Sequence, residues 1–170
     1  MATSAAKCAK WPMLVTLFFD QAERRGDAVM LAHKHEGAWV PISWRQAAQT
    51  VSSMAAGLRA IGIKPGDRVM LVSENRPEWC LADLAIMAAG AVTVPTYITN
   101  TESDHLHVLD DSGAVAAIVS TTKLAKTLLA AVYRSKDCRT VIGIEALRIG
   151  QESGATLYQW QHLVAENPAD

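Results

Sequence analysis

RVMLVSENRPEWCLADLAIMAAGAVTVP, residues 68–95, holds two strands and the helix between them. Arg68 to Ser73 is a continuous apolar run of strand length, the pattern of a strand covered on both faces. Pro77 suits the first turn of a helix, where its missing N–H costs nothing, and Glu78 suits the positive helix end. From Trp79 to Ala89 only Asp83 interrupts the apolar residues. A helix of that composition is buried on several sides. Val92 to Pro95 is then the second strand.

Reading toward the C-terminus, Thr101 to Asp111 predicts a helix closed by Gly113, and Val115 to Val119 a further apolar strand. Leu124, Leu128, Ala131 and Val132 mark a helix over 121–134, and Thr140 to Ile144 another strand. Gly150 to Gly154 reads as polar loop, and 156–165 as one last helix. From residue 68 the order is β, α, β, α, β, α, β. The fold class is therefore α/β, a mainly parallel sheet with helices on both faces. Val69, Leu71, Val92, Val94, Val115, Ile118 and Val141 are its expected buried positions, covered by Val51, Met54, Leu58, Leu84 and Ile86.

Reading toward the N-terminus, Lys64-Pro65-Gly66-Asp67 is a turn with proline and glycine at the type II positions. Trp44, Ala47, Val51, Met54, Ala55, Leu58 and Ile61 recur at helical spacing, and Ser43 with Gln46 fits a capping box. Residues 28–34 and 38–42 read as two short strands around Glu36-Gly37. Leu14, Leu17, Phe18 and Ala22 share one face of a helix over 13–25. Lys7 and Lys10 before the apolar run Trp11 to Phe19 imitate a signal peptide. Asp20, Glu23, Arg24 and Arg25 follow at once, with no small-x-small site, and favour the helix. Residues 1–12 read as a flexible N-terminus, 13–165 as one α/β subdomain, and 166–170 as the start of a linker.

The chain has 170 residues, half of them hydrophobic, and 16 Lys+Arg against 17 Asp+Glu. That excludes a disordered chain and gives no basic excess for nucleic acid. Three cysteines, Cys8, Cys80 and Cys138, make no disulfide framework and point to a reducing compartment. The longest uncharged apolar stretch, Leu84 to Pro95, falls far short of the ~20 residues of a membrane helix.

Candidate sites are sparse. Ser120-Thr121-Thr122-Lys123 opens a helix but lacks the glycines of a phosphate loop, and N-capping by a hydroxyl is the favoured reading. His33 and His35 share a strand face without a third ligand. His105 and His107 diverge by about 200° on a helix. Asp110-Asp111 reads as a solvated turn rather than a cation site, and Cys80 as a small hydrophobe.

The ordered phrases carry a resemblance. Ile42-Ser43-Trp44-Arg45 is followed by Ala56-Gly57-Leu58-Arg59-Ala60-Ile61-Gly62, then Lys64-Pro65-Gly66-Asp67-Arg68-Val69, then Ser73-Glu74-Asn75-Arg76-Pro77-Glu78-Trp79. Ala82-Asp83-Leu84-Ala85-Ile86, Ala89-Gly90-Ala91-Val92, Val94-Pro95 and Asp111-Ser112-Gly113-Ala114 come next. Together they resemble the N-terminal part of the AMP-forming acyl-CoA synthetases, the adenylate-forming superfamily, over residues 13–165. Glu74 to Trp79 and Tyr97 to Thr101 are most similar to the long-chain fatty acid CoA ligases.

The resemblance implies a parent enzyme that joins a fatty acid to CoA. ATP and Mg2+ serve an acyl-adenylate step, and CoA then displaces AMP. The Ser/Thr/Gly-rich phosphate loop and later motifs of the family are not among these residues. The expectation is therefore a structural subdomain, inactive alone and needing no cofactor, whose partner is the rest of the synthetase chain. A homodimer and a cytoplasmic location, peripheral at the inner membrane face in the parent, are further implications. No catalytic or metal residue is assigned. By alignment with the related acetyl-CoA synthetases, Tyr97, Ile98 and Thr99 occupy a loop on the CoA side. Ile98 and Thr99 stand where that subfamily has glycines. The alternative is a non-enzymatic α/β binding or regulatory module.

Overall fold

The computed structural model describes residues 13–148 and 154–168. The chain divides into two compact units near residue 50. In the first, α1 (Leu14–Arg25) precedes an antiparallel hairpin of β1 (Val29–His35) and β2 (Ala38–Ser43) turning at Glu36-Gly37. Phe18 and Ala22 are the buried positions of α1, and the Phe18 ring lies 6.0 Å from that of Trp44. Ser43 and Gln46 cap α2 (Trp44–Ala60) reciprocally: Gln46 N–H donates to Ser43 Oγ at 3.2 Å, and Ser43 N–H donates to Gln46 Oε1 at 2.9 Å. The spacing of polar groups at 43 and 46 predicts this bond pair.

The second unit is built on a five-stranded sheet in the order β4-β3-β5-β6-β7, every neighbouring pair parallel. Its elements are β3 (Arg68–Val72), α3 (Pro77–Ala88), β4 (Val92–Pro95), α4 (Glu102–Ser112), β5 (Ala114–Val119), α5 (Thr122–Arg134), β6 (Thr140–Gly143), β7 (Thr156–Gln159) and α6 (Trp160–Glu166). Side chains alternate across a strand, so each face collects its own core. Met70, Val72, Ala117 and Val141 pack with Leu109 of α4 and Leu128 of α5. Val69, Leu71, Ile118 and Ile142 point the other way and are equally buried, with α3 against β3 and β4. In α2, Val51, Met54 and Leu58 are buried, and Gly57 brings its backbone close to Leu163 of α6.

Two expectations are corrected. Residues 156–159 are strand, not helix: Thr156 to Gln159 run beside Thr140 to Gly143, and only Trp160–Glu166 is helical. A β-branched residue and a tyrosine at alternate positions accept the ladder that β6 offers, and that long-range pairing overrides a weak helical signal. Val92 is 50% exposed, while Val94 and Val115 are half-buried. β4 is an edge strand with a neighbour on one side only, so its apolar residues keep more of their surface. Residues 1–12, read as a flexible N-terminus, lie outside the described residues, as does most of the Gly150–Gly154 loop. Asn167 closes α6, its side-chain amide donating to Leu163 O at 2.9 Å. Among the described residues no helix is long and apolar enough to cross a membrane.

Candidate functional site

The carboxyl ends of parallel strands point to one edge of the sheet, and chains leaving to opposite sides open a crevice there. Here β3 leads through α3 to β4 on one side, and β5 leads through α5 to β6 on the other. The switch point lies between β3 and β5. Side chains of the protein fill it. Ser120, fully buried just past β5, donates a short hydrogen bond to the Glu74 carboxylate just past β3. Arg76 reaches further across: its Nε donates to Glu78 Oε2 at 2.8 Å, and its Nη1 to Glu145 Oε1 at 2.8 Å, beyond β6. Hydrogen bonding to Glu78 raises the Arg76 pKa, partial burial opposes the rise, and Glu145 adds to it. The one guanidinium is thus shared by two carboxylates, Glu78 and Glu145.

The open space is displaced toward β4. A cleft of about 470 Å3 is lined by Ser73, Glu74, Asn75 and Trp79 on one wall and by Pro95, Thr96, Tyr97 and Ile98 on the other. The second wall grows directly from β4: Thr96 N–H donates to Leu71 O at 3.1 Å, continuing the ladder by one residue. Asn100 then folds the loop back, donating from Nδ2 to Thr96 Oγ1 at 2.6 Å. Thr101 ends it as the N-cap of α4, exchanging bonds with Asp104. Those bonds from Thr101 hold the Asp104 carboxyl below its ordinary range. Tyr97 is 80% exposed and Ile98 42%.

Of the three loop residues that sequence reasoning selects, Tyr97 and Ile98 thus line the cleft, and Thr99 is exposed outside its lining. The opposite wall and the Glu74–Ser120 and Arg76–Glu145 bonds were missed. Their signal was present: polar residues stand immediately after the apolar runs of β3 and β5.

The other candidates resolve simply. Thr121, not Ser120, caps α5, accepting from Leu124 N–H at 3.4 Å. His105 is buried on α4 while His107 is exposed, so the two face different surroundings. Asp110 accepts from Lys136 N–H at 3.1 Å and from Ser135 Oγ, an anchor for the end of α5. Cys80 is half-buried and its thiol is pushed up by burial and by Asp83. No group of three metal-binding side chains occurs among the described residues.

Comparison with known proteins agrees with the fold. The AMP-binding enzyme family profile matches residues 18–169. The long-chain-fatty-acid–CoA ligase FadD15 of Mycobacterium tuberculosis is 36% identical over 108 residues, covering 64% of this chain and 18% of its own length. The crystal structure of coronafacic acid ligase from Pectobacterium brasiliense superposes with a TM-score of 0.78 at 20% identity, covering 92% of this chain and 30% of that one. A benzoate CoA ligase from Burkholderia xenovorans gives a TM-score of 0.72 at 21% identity, covering 91% and 28%. The chain thus spans about a fifth of the length of the ligase relative and under a third of these structures. The match over nearly the whole chain, on a parallel α/β sheet of the same fold, makes this chain a member of the AMP-binding enzyme family.

Proposed function

We propose that this chain is the N-terminal part of a fatty acyl-CoA synthetase, which converts a carboxylate, ATP and CoA to acyl-CoA, AMP and pyrophosphate. The fatty acyl specificity rests on the similarity to a long-chain-fatty-acid–CoA ligase. ATP and Mg2+ serve the parent enzyme. The described residues do not fit them: the carboxylates of Glu74, Glu78 and Glu145 are engaged by Ser120 and Arg76, and no metal cluster is assembled. In this reading the segment is a structural wall, inactive alone, with the rest of the synthetase as its partner.

CoA fits better. The observation that carries its assignment is the cleft between Trp79 and Tyr97 at the carboxyl ends of β3 and β4. An exposed tyrosine ring offers a stacking face to adenine. Ile98 in place of glycine keeps ligand and backbone apart, which leaves contact to side chains. When bound, CoA supplies the thiol that takes the acyl group; these residues bind and orient it. In the full-length enzyme, Tyr97→Ala raises the apparent KM for CoA about tenfold, the size of one lost aromatic–base stack. Adenylate formation, followed by pyrophosphate exchange, stays intact. Equal loss in both half-reactions would make Tyr97 a support of the fold.

A further inference from the structure

We propose that Arg76 is a positioning residue that clamps one wall of the cleft while the other stays free to adjust. The proposal rests on the reading of the cleft as a CoA site. The wall in question is the turn from Ser73 to Trp79, between β3 and α3. A connection of this kind has few apolar contacts of its own and is drawn from the less stable parts of a fold. Here it is fastened twice, to two different strands. Glu74 takes the hydroxyl of Ser120 at the end of β5. Arg76 holds Glu78 at the start of α3 with two nitrogens, at 2.8 and 3.3 Å, and Glu145 beyond β6 with the third. A planar fork with several fixed donors is pre-organised to serve two carboxylates at once. Glu145 is itself placed by backbone bonds: its N–H donates to Ser120 O at 3.0 Å, and Ile144 N–H donates to Val119 O at 2.9 Å. The clamp therefore ends on the interior of the sheet.

Among the described residues the facing wall shows no ion pair of this kind; its own bond is local, from Asn100 N–H to Tyr97 O at 3.3 Å. Thr96 and Asn100 tie down its ends, while Tyr97, Ile98 and Thr99 between them are exposed on the loop after an edge strand. One wall is set by charge-assisted bonds to β5 and β6, and the other adjusts to the ligand. The cost of ordering the cleft on binding is then confined to the Tyr97 side.

The test uses the full-length synthetase with Arg76→Gln, Arg76→Lys and Glu145→Gln. Hydrogen exchange of amides 73–79 should quicken about tenfold in Arg76→Gln, with amides 116–119 and 141–143 unchanged. The apparent KM for CoA should rise severalfold while pyrophosphate exchange is kept. Glu145→Gln should move both readouts the same way by less. Arg76→Lys, which keeps the charge but not the fork, should recover part of each. Unchanged exchange in Arg76→Gln overturns the clamp. Loss of both half-reactions together, or faster exchange throughout the sheet, reduces Arg76 to a general support and also overturns it. If Tyr97→Ala raises the KM for CoA and Arg76→Gln does not, positioning by Arg76 is refuted and the CoA reading stands. If exchange quickens at 73–79 but neither variant alters the KM, the clamp stands and the CoA reading falls.

Discussion

Gly113→Ala tests how the amino end of the sheet is held. Gly113 closes α4 in the left-handed conformation, with φ 63° and ψ 39°. Alanine in that region costs roughly 1–2 kcal/mol from its Cβ alone. A Cβ at Gly113 would also stand 2.7 Å from Nη2 of Arg68. The guanidinium can swing aside, but it then leaves its bonds: Nε to Ser112 O and Nη2 to Gly113 O, both 2.7 Å, and Nη1 to Gly66 O at 3.0 Å. A hydrogen bond from a charged donor is worth about 1.5–3 kcal/mol. Partial loss of one brings the expected total to about 2–4 kcal/mol. Gly66 supplies the control. Its φ is also positive, at 84°, yet nothing lies within 4 Å of its would-be Cβ. Gly66→Ala should therefore show the backbone cost alone, about 1–2 kcal/mol. Urea unfolding followed by circular dichroism measures both. The excess of Gly113→Ala over Gly66→Ala should exceed ~1 kcal/mol and collapse to under ~0.5 kcal/mol in an Arg68→Gln background, as expected for coupled neighbours. Equal costs for the two glycines, or an excess that survives Arg68→Gln, would refute the role given to Arg68.

Other outcomes follow from burial. Leu84→Ala, on the covered face of α3, should cost ~2–5 kcal/mol, and a loss under ~0.5 kcal/mol would mean that α3 presents another face. Burial lowers the pKa of His105, with Asp104 opposing, so the unfolded chain binds more protons once the pH falls below its ordinary value of 6.5. Stability should therefore decline between pH 7 and 5.5, by at most about 1.4 kcal/mol per pH unit from this group, and His105→Leu should flatten the decline; an unchanged slope would exonerate His105. Burial also pushes the Cys138 thiol up to about 11. Peptide mapping after alkylation at pH 8 should find Cys138 modified only as fast as the protein unfolds, with half-buried Cys80 reacting sooner, and the reverse order would contradict the packing of α5 on the sheet.

The layers were legible because they rest on local patterns. The continuous apolar runs of β3 and β5, the capping pair Ser43 and Gln46, and Pro77 at the head of α3 each act within a few residues of themselves. β7 was not legible, since four residues with a mixed pattern become a strand only when β6 is beside them. Val92 was misread for a related reason: periodicity reports that a strand is apolar, but strand order decides whether it lies at an edge.

The site was hidden by sequence distance rather than by weak chemistry. Glu74 and Ser120 are 46 residues apart, and Arg76 and Glu145 are 69 apart. Neither pair has a spacing that a local motif could expose. What brings them together is the parallel connection rule, which delivers the residue after every strand to the same edge of the sheet. A polar residue directly following an apolar strand is therefore informative once two such strands are known to be neighbours. Ser73, Glu74 and Ser120 satisfy that condition across β3 and β5, and Thr96 does so after β4. Tyr97, Ile98 and Thr99 could be proposed for a ligand from the sequence because their loop resembles a family loop. Trp79, facing it from the first turns of α3, reads in the sequence as one more apolar position of a buried helix. Its partial exposure on the cleft is what separates a wall residue from a core residue.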